Sequence, residues 1–336
     1  MQETRKEGWL LPILLAALVI GWSVMGWCDL SQATQAGFET DGDNTIVRVL
    51  PDSPASSSGL LRGDVITRVG NISAENAAAL ARLPRARPGE VRNYTVLRDG
   101  EAQTVAVRFG PLLPRTLSLS RASSIIGLCF LLFPLLAWYR RPAEATRVLT
   151  VMGVGLSFAF IGGPYIAEAG LRSVVLTVTT LFMLSGVAAM AQFLLVFPRR
   201  RPWLERAYGK FLLYLPAVVL WALLAYRLLF TPTATSALNT VTNLMAGVVV
   251  GGYFLLALFL VLRNYSRTDR AQRRALALNG MLWGTVFGLL PATVAQLVTA
   301  FSPQSVLPGQ DFYFVSLALI PLSWSRSASR GDANLA

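Results

Sequence analysis

Side chains able to do covalent chemistry are scarce in this chain. Its 336 residues include no histidine, two lysines (Lys6 and Lys210) and two cysteines (Cys28 and Cys129). Without histidine, Ser-His-Asp and Cys-His hydrolysis, HExxH zinc chemistry and histidine phosphorylation all lack their central group. A Ser-Lys dyad needs a lysine beside its nucleophile, yet both lysines flank apolar runs. The cysteines are too few and too scattered for a metal site or a disulfide framework, and they read as small helix- or lipid-facing residues. Ionisable residues inside apolar runs, the usual mark of an ion or proton path, are nearly absent; Asp29 and Glu168 stand at run ends. Gln192, Asn239, Asn243, Asn279 and Gln296 are neutral and read as interhelical hydrogen bonding. These residues predict neither an enzyme nor an energised transporter, and they imply no metal and no cofactor.

The elements that hold these residues follow from composition. Hydrophobic residues make up 54% of the chain and charged ones 14%, where soluble domains carry roughly a quarter. Mean hydropathy is +0.51, and several apolar runs approach the length of a bilayer span, which predicts an integral membrane protein. The formal charge of +12 does not point to nucleic acid. Its arginines cluster beside apolar runs, and no basic face with aromatic stacking positions accompanies them.

The first apolar run, Trp9–Trp27, follows Arg5 and Lys6 and reads as an uncleaved anchor. A signal peptide is the competing reading, but no A-x-A site follows directly, and Trp27 before Cys28 does not suit lipidation. Further spans are expected near Leu119–Tyr139, Val148–Ala167, Ser173–Phe197, Phe211–Phe230, Val241–Leu262, Ala275–Phe301 and Phe312–Trp324, eight in all. Alternate loops carry Arg140, Arg141 and Arg147, then Arg199 to Arg201, Arg206 and Lys210, then Arg263, Arg267, Arg270, Arg273 and Arg274. The tail adds Arg326 and Arg330. The opposite short loops hold Arg172 and otherwise no Lys or Arg. This asymmetry predicts both termini in the cytoplasm of a multi-pass protein of the bacterial inner membrane. The expected divisions are 1–8 as cytoplasmic N-terminus, 9–27 as anchor, 36–109 as an extracytoplasmic soluble domain, 119–324 as a seven-helix membrane domain and 325–336 as a cytoplasmic tail without an output domain.

Within 36–109 the pattern changes. Thr45–Leu50 alternates as a half-buried strand does. Ser53 is a plausible N-cap with Pro54 in the first turn, and Gly59 ends that short helix. Asp64–Val69 reads as a strand closed by a Gly70-Asn71 turn. Ser73 is expected to cap an Ala/Leu helix that Pro84 stops, and Asp99-Gly100 centres a hairpin.

The run LPDSPASSSGLLRGDVITRVGN resembles the core signature of bacterial PDZ domains, over about 75 residues of the chain. The fold class implied is mixed: a polytopic helical membrane bundle with one small α/β PDZ domain, a partly open β-barrel with two helices, between spans 1 and 2. PDZ domains bind extended peptides by adding a strand to a sheet edge beside a helix. The resemblance implies that Ala36, Gly37 and Phe38 form the loop holding a peptide carboxylate. It makes Phe38, Glu39 and Thr40 the edge strand, and Ala77, Leu80 and Ala81 the helical wall of the groove.

A second run, FLLVFPRRRPWLERAYGKFLLYLPAVVL (Phe193–Leu220), resembles multi-helix input regions of bacterial sensor kinases. Competence-pheromone-type receptors share the order of anchor, external PDZ domain and further spans. Together these resemblances imply a non-catalytic receptor or sensor-like protein. Its partners would be a peptide or protein C-terminus at the PDZ edge, a separate kinase or envelope protein complex, and membrane lipid. The alternatives are an adaptor that recruits envelope proteins and the truncated input region of a kinase.

Overall fold

The computed structural model describes residues 3–41, 43–76, 79–80, 82–230, 236–301 and 313–330. Helix α1 (Glu3–Cys28) leads into a β-rich domain at 34–111, after which the chain returns to helices. These are α3 (Pro114–Arg140), α4 (Glu144–Phe160), α5 (Ala169–Val196), α6 (Ala207–Leu229), α7 (Ser236–Ser266), the short α8 (Arg270–Ala275), α9 (Leu278–Phe301) and α10 (Leu319–Ala328). Each of the eight expected apolar runs thus contains a helix. Five stretches among the described residues are long and apolar enough to cross a membrane: 13–32, 116–140, 169–196, 208–229 and 240–266. This is a membrane protein.

The remaining runs depart from the expected spans for local reasons. Helix α4 has 17 residues, about 26 Å at ~1.5 Å per residue, because the Gly162-Gly163-Pro164 sequence follows its last turn. The expected span from Ala275 is interrupted: α8 ends there, Ala277 takes a left-handed φ of 52°, and α9 begins at Leu278. Helix α10 has ten residues, or ~15 Å, half the thickness of a hydrocarbon core. It follows a 3-10 turn at Phe314–Ala318 and runs on to Ala328, into the stretch read as tail.

Glycines let the bundle helices approach closely. A Cβ on Gly155 of α4 would overlap the backbone of α5 at Phe182 and Gly186, and one on Gly186 would overlap Gly155 and Leu156. The buried centre comprises Phe130, Leu149, Met152, Leu184, Phe193 and Trp324, with the Trp324 ring stacked on Phe193 at 5.1 Å. Several polar side chains inside the bundle bond from one helix to another. Tyr214 Oη donates to Gln192 at 2.7 Å, as the neutral-polar reading of Gln192 expects. Trp324 Nε1 donates to Thr285 at 2.7 Å. At the arginine-rich end, Asn264 Nδ2 donates to the carbonyls of Leu194 and Phe197, and Asn264 Oδ1 accepts from Arg201. Burial, with Arg263 and Arg267 nearby, lowers the Arg201 pKa.

In the β-rich domain, β1 (Thr34–Gln35) pairs with β8 (Gly110–Pro111), and β2 (Phe38–Thr40) pairs with β3 (Ile46–Val49). A separate four-stranded sheet has the order β5-β4-β6-β7, from β4 (Val65–Val69), β5 (Ile72–Ser73), β6 (Val91–Arg98) and β7 (Glu101–Arg108). The β6–β7 hairpin turns at Asp99-Gly100, as the sequence predicts. A one-turn helix α2 (Pro54–Ser57) has Ser53 as its cap, with Ser53 Oγ accepting from Ser56 N–H at 3.2 Å. The other expected cap differs. Ser73 belongs to β5 and pairs with Arg68, and Asn76 accepts the Ala79 N–H at 3.1 Å instead. Pairing with β4 keeps Ser73 in a strand.

Candidate functional site

The candidate peptide edge is built on one glycine. Gly37 has a φ of +87°, and a Cβ there would overlap the side chain of Ser53. Ser53 is fully buried and donates to the Gly37 carbonyl at 3.3 Å while capping α2. The Ala55 N–H donates to the Ala36 carbonyl at 2.8 Å. Residues 36 and 37 are therefore locked onto the start of α2, and only glycine fits at 37.

This lock sets which way the next peptide groups point. The Leu50 N–H donates to the Gly37 carbonyl at 2.8 Å, and Phe38 stands opposite Val49. Antiparallel pairs alternate between bonded and non-bonded positions, so the N–H and C=O of Phe38 point away from β3. Among the described residues β2 pairs with β3 alone, which leaves that edge open. The Phe38 ring turns inward and meets Tyr94 edge-on at 5.4 Å. Glu39 and Thr40 are exposed, and Glu39 forms a loose 3.8 Å pair with Arg48. A register shift between Glu39 and Thr40 bends the strand. Leu80 is half-buried, its N–H donating to Asn76. Ala77 and Ala81 lie outside the described residues.

A second feature stiffens this domain, and the sequence reading did not single it out. Asp64 is 2% exposed and takes both Arg98 Nε and Nη2 at 2.7 Å. It also accepts the Leu61 N–H, while Arg98 donates to the Gly59 carbonyl. Hydrogen bonding from Arg98 holds the Asp64 carboxyl below its usual pKa. The signal was present as the Gly63-Asp64 pair, but its partner is 34 residues away.

The domain meets the helices through the loop after Leu83. Tyr165 Oη donates to the Ala86 carbonyl at 2.9 Å, and Thr34 Oγ1 donates to the same oxygen at 2.8 Å. The Arg85 N–H reaches the Ala167 carbonyl at 3.3 Å, and its guanidinium lies over the Tyr165 ring. Asp29, just beyond α1, accepts the Tyr165 N–H at 3.1 Å. Desolvation, with Arg172 close by, lowers the Arg85 pKa.

Residues 45–98 match the family model described as PDZ domain. They form a PDZ domain. The match begins after β2, so Ala36 to Thr40 precede it, whereas Ala77, Leu80 and Ala81 fall inside it. A Ralstonia nicotianae protein named "Putative zinc metalloprotease" is 42% identical over 69 residues, 20% of this chain and 15% of that protein. The segment shared with that relative is thus a small part of its length. This similarity overturns the expectation that the chain is no enzyme and stands apart from proteolysis, since part of the chain is similar to part of a protein bearing that enzyme name. A zinc ion finds no fit among the described residues of this chain. There is no histidine, and among the described residues no three Cys, Asp or Glu side chains gather where they could hold a metal ion.

Proposed function

We propose that this membrane PDZ protein captures an extended peptide by strand addition along the open edge of β2. The orientation of Phe38 carries this reading: its N–H and C=O face the open edge while its ring anchors the strand to the core. Strand addition takes its affinity from such main-chain groups, and the side chains beside the groove set its selectivity. A peptide or protein C-terminus is the ligand, with Gly37 shaping the turn that receives its carboxylate. The arginine distribution supports a domain held outside the cytoplasm, with the basic loops inside.

The route from groove to bundle supports a receptor role. Leu80 stands just before the loop whose Arg85 and Ala86 bond to Ala167 and Tyr165 between α4 and α5. A ligand that prefers one placement of that loop would shift the helices only by its differential affinity for the two placements. A separate kinase at the basic end is the partner for such an output.

The similarity to the metalloprotease-named relative favours a second reading, in which the PDZ domain presents envelope proteins to membrane proteolysis. One experiment separates the two. The full chain in detergent is challenged with a library of peptides bearing free or amidated C-termini, and hydrogen exchange is followed at 161–168. Binding that needs a free carboxylate, is lost in Phe38→Pro and slows exchange at 161–168 supports the receptor. Binding without any change at 161–168 supports presentation. Failure of every peptide to bind rejects both.

A further inference from the structure

The short last helix leaves space beside it. Between α9 and α10 runs a cavity of about 670 Å³, within the range of small-molecule sites. Its walls are Trp283 and Phe287 of α9 with Leu319 and Leu322 of α10. Trp283 and Phe287 are 56% and 59% exposed, so the cavity opens sideways on the outer face of the bundle. Its mouth holds Arg273, Arg274 and Arg326.

On the other flank of α10 lies a second cavity of about 350 Å³, which shares Leu322 and Arg326 and adds Arg140 and Arg330. Among the described residues no carboxylate lines either cavity. Arg273 is held in place, with its guanidinium 4.2 Å from the Tyr265 ring centre and donating to the Thr268 carbonyl. Ser325 lines the second cavity, is 7% exposed, and has a hydroxyl with no hydrogen-bond partner among the described residues.

We propose that these paired cavities seat an anionic phospholipid, its acyl chains against α9 and α10 and its phosphate among the arginines around Arg326. The sideways opening selects an occupant already dissolved in the bilayer, and an all-arginine mouth selects a negative head group. The helix geometry places the site. Gly284 and Gly288 draw α10 against α9, since Cβ atoms there would meet Ser323 and Ile320. Gly280, one turn earlier, faces open space and leaves room for the lipid. This inference is independent of the PDZ reading, because no residue of 34–111 takes part.

The test uses the full purified chain, with lipid adducts counted by native mass spectrometry after exposure to phosphatidylglycerol or phosphatidylcholine. Preferential retention of phosphatidylglycerol is expected. Arg274→Gln with Arg326→Gln should weaken that preference by roughly fivefold for each arginine removed. Gly280→Leu, which fills the space without touching charge, should reduce retention of phosphatidylglycerol while leaving the thermal midpoint unchanged. Equal retention of the two lipids, or an unaltered preference in the arginine variant, would overturn the proposal. So would displacement of phosphatidylglycerol by millimolar inorganic phosphate, which would mark a head-group anion site without acyl recognition.

Discussion

The PDZ domain and the helical bundle are held together by different means. The domain relies on features at single positions: Gly37 beside Ser53, the Asp64–Arg98 pair, and a small core around Ile46, Leu60 and Val96. The bundle relies on whole faces. Helices α4 and α5 touch along Gly155 and Gly186, and one core extends from Ile126 to Ala328. In water a fold must gain from burying few side chains, so turns and caps count heavily. In a bilayer each helix already satisfies its own backbone, and close packing decides which helices meet.

The contrast can be broken at either end. Gly186→Leu should have the largest effect, since the added side chain must push α5 off the backbone of α4. A loss of at least about 3 kcal/mol is expected. The PDZ domain contains no tryptophan, so tryptophan emission follows the bundle alone. Emission should shift in this variant while residues 34–111 keep their resistance to proteolysis. An intact bundle signal would show that the helical faces are looser than their contacts imply.

Ile46→Ala is the counterpart. Ile46 is fully buried, and its truncation should cost the domain about 3 kcal/mol. Proteolysis within 34–111 should accelerate while tryptophan emission stays constant. Loss of both signals together would mean that the two regions fold as one unit.

Acid should separate them further. Asp64 has a folded-state pKa below its unfolded value because Arg98 bonds its charged form. Its contribution is therefore present above the unfolded value of about 3.9 and disappears as pH falls through the lowered one. Glu90, bonded by the Arg87 N–H and the Arg92 side chain, acts in the same direction. Pepsin at pH 3 should thus cut the domain faster than the helices, and Asp64→Asn should flatten the pH dependence of that cleavage below pH 4.

The smallest effect belongs to the junction. Tyr165→Phe removes one hydrogen bond to Ala86, worth about 1 kcal/mol. Amide exchange at 82–87 should quicken several-fold, with both regions otherwise unchanged. No change would mean that Thr34, which shares the Ala86 carbonyl, suffices to hold the loop.

The two regions also differ in how far the sequence could be read. Ser53-Pro54, Gly63-Asp64 and Asp99-Gly100 each require a local conformation, and the structure realises them where the motif implies. The delayed cap at Asn76 was not legible, because β5 forms only when β4 offers a partner. In the bundle, apolar length located the long helices, but it did not show the basic helix α8, the break at Ala277 or the shortness of α10.

By itself the sequence determined that the chain enters a membrane and that it carries a water-facing PDZ domain, since composition, periodicity and turn residues act locally. Only the tertiary structure decided that Phe38 turns its peptide groups to an open edge, that Arg98 closes on Asp64, and that arginines from three separate segments converge on the grooves beside α10. Those arrangements join residues far apart in the chain, and their partners are chosen by packing rather than by any neighbour in sequence.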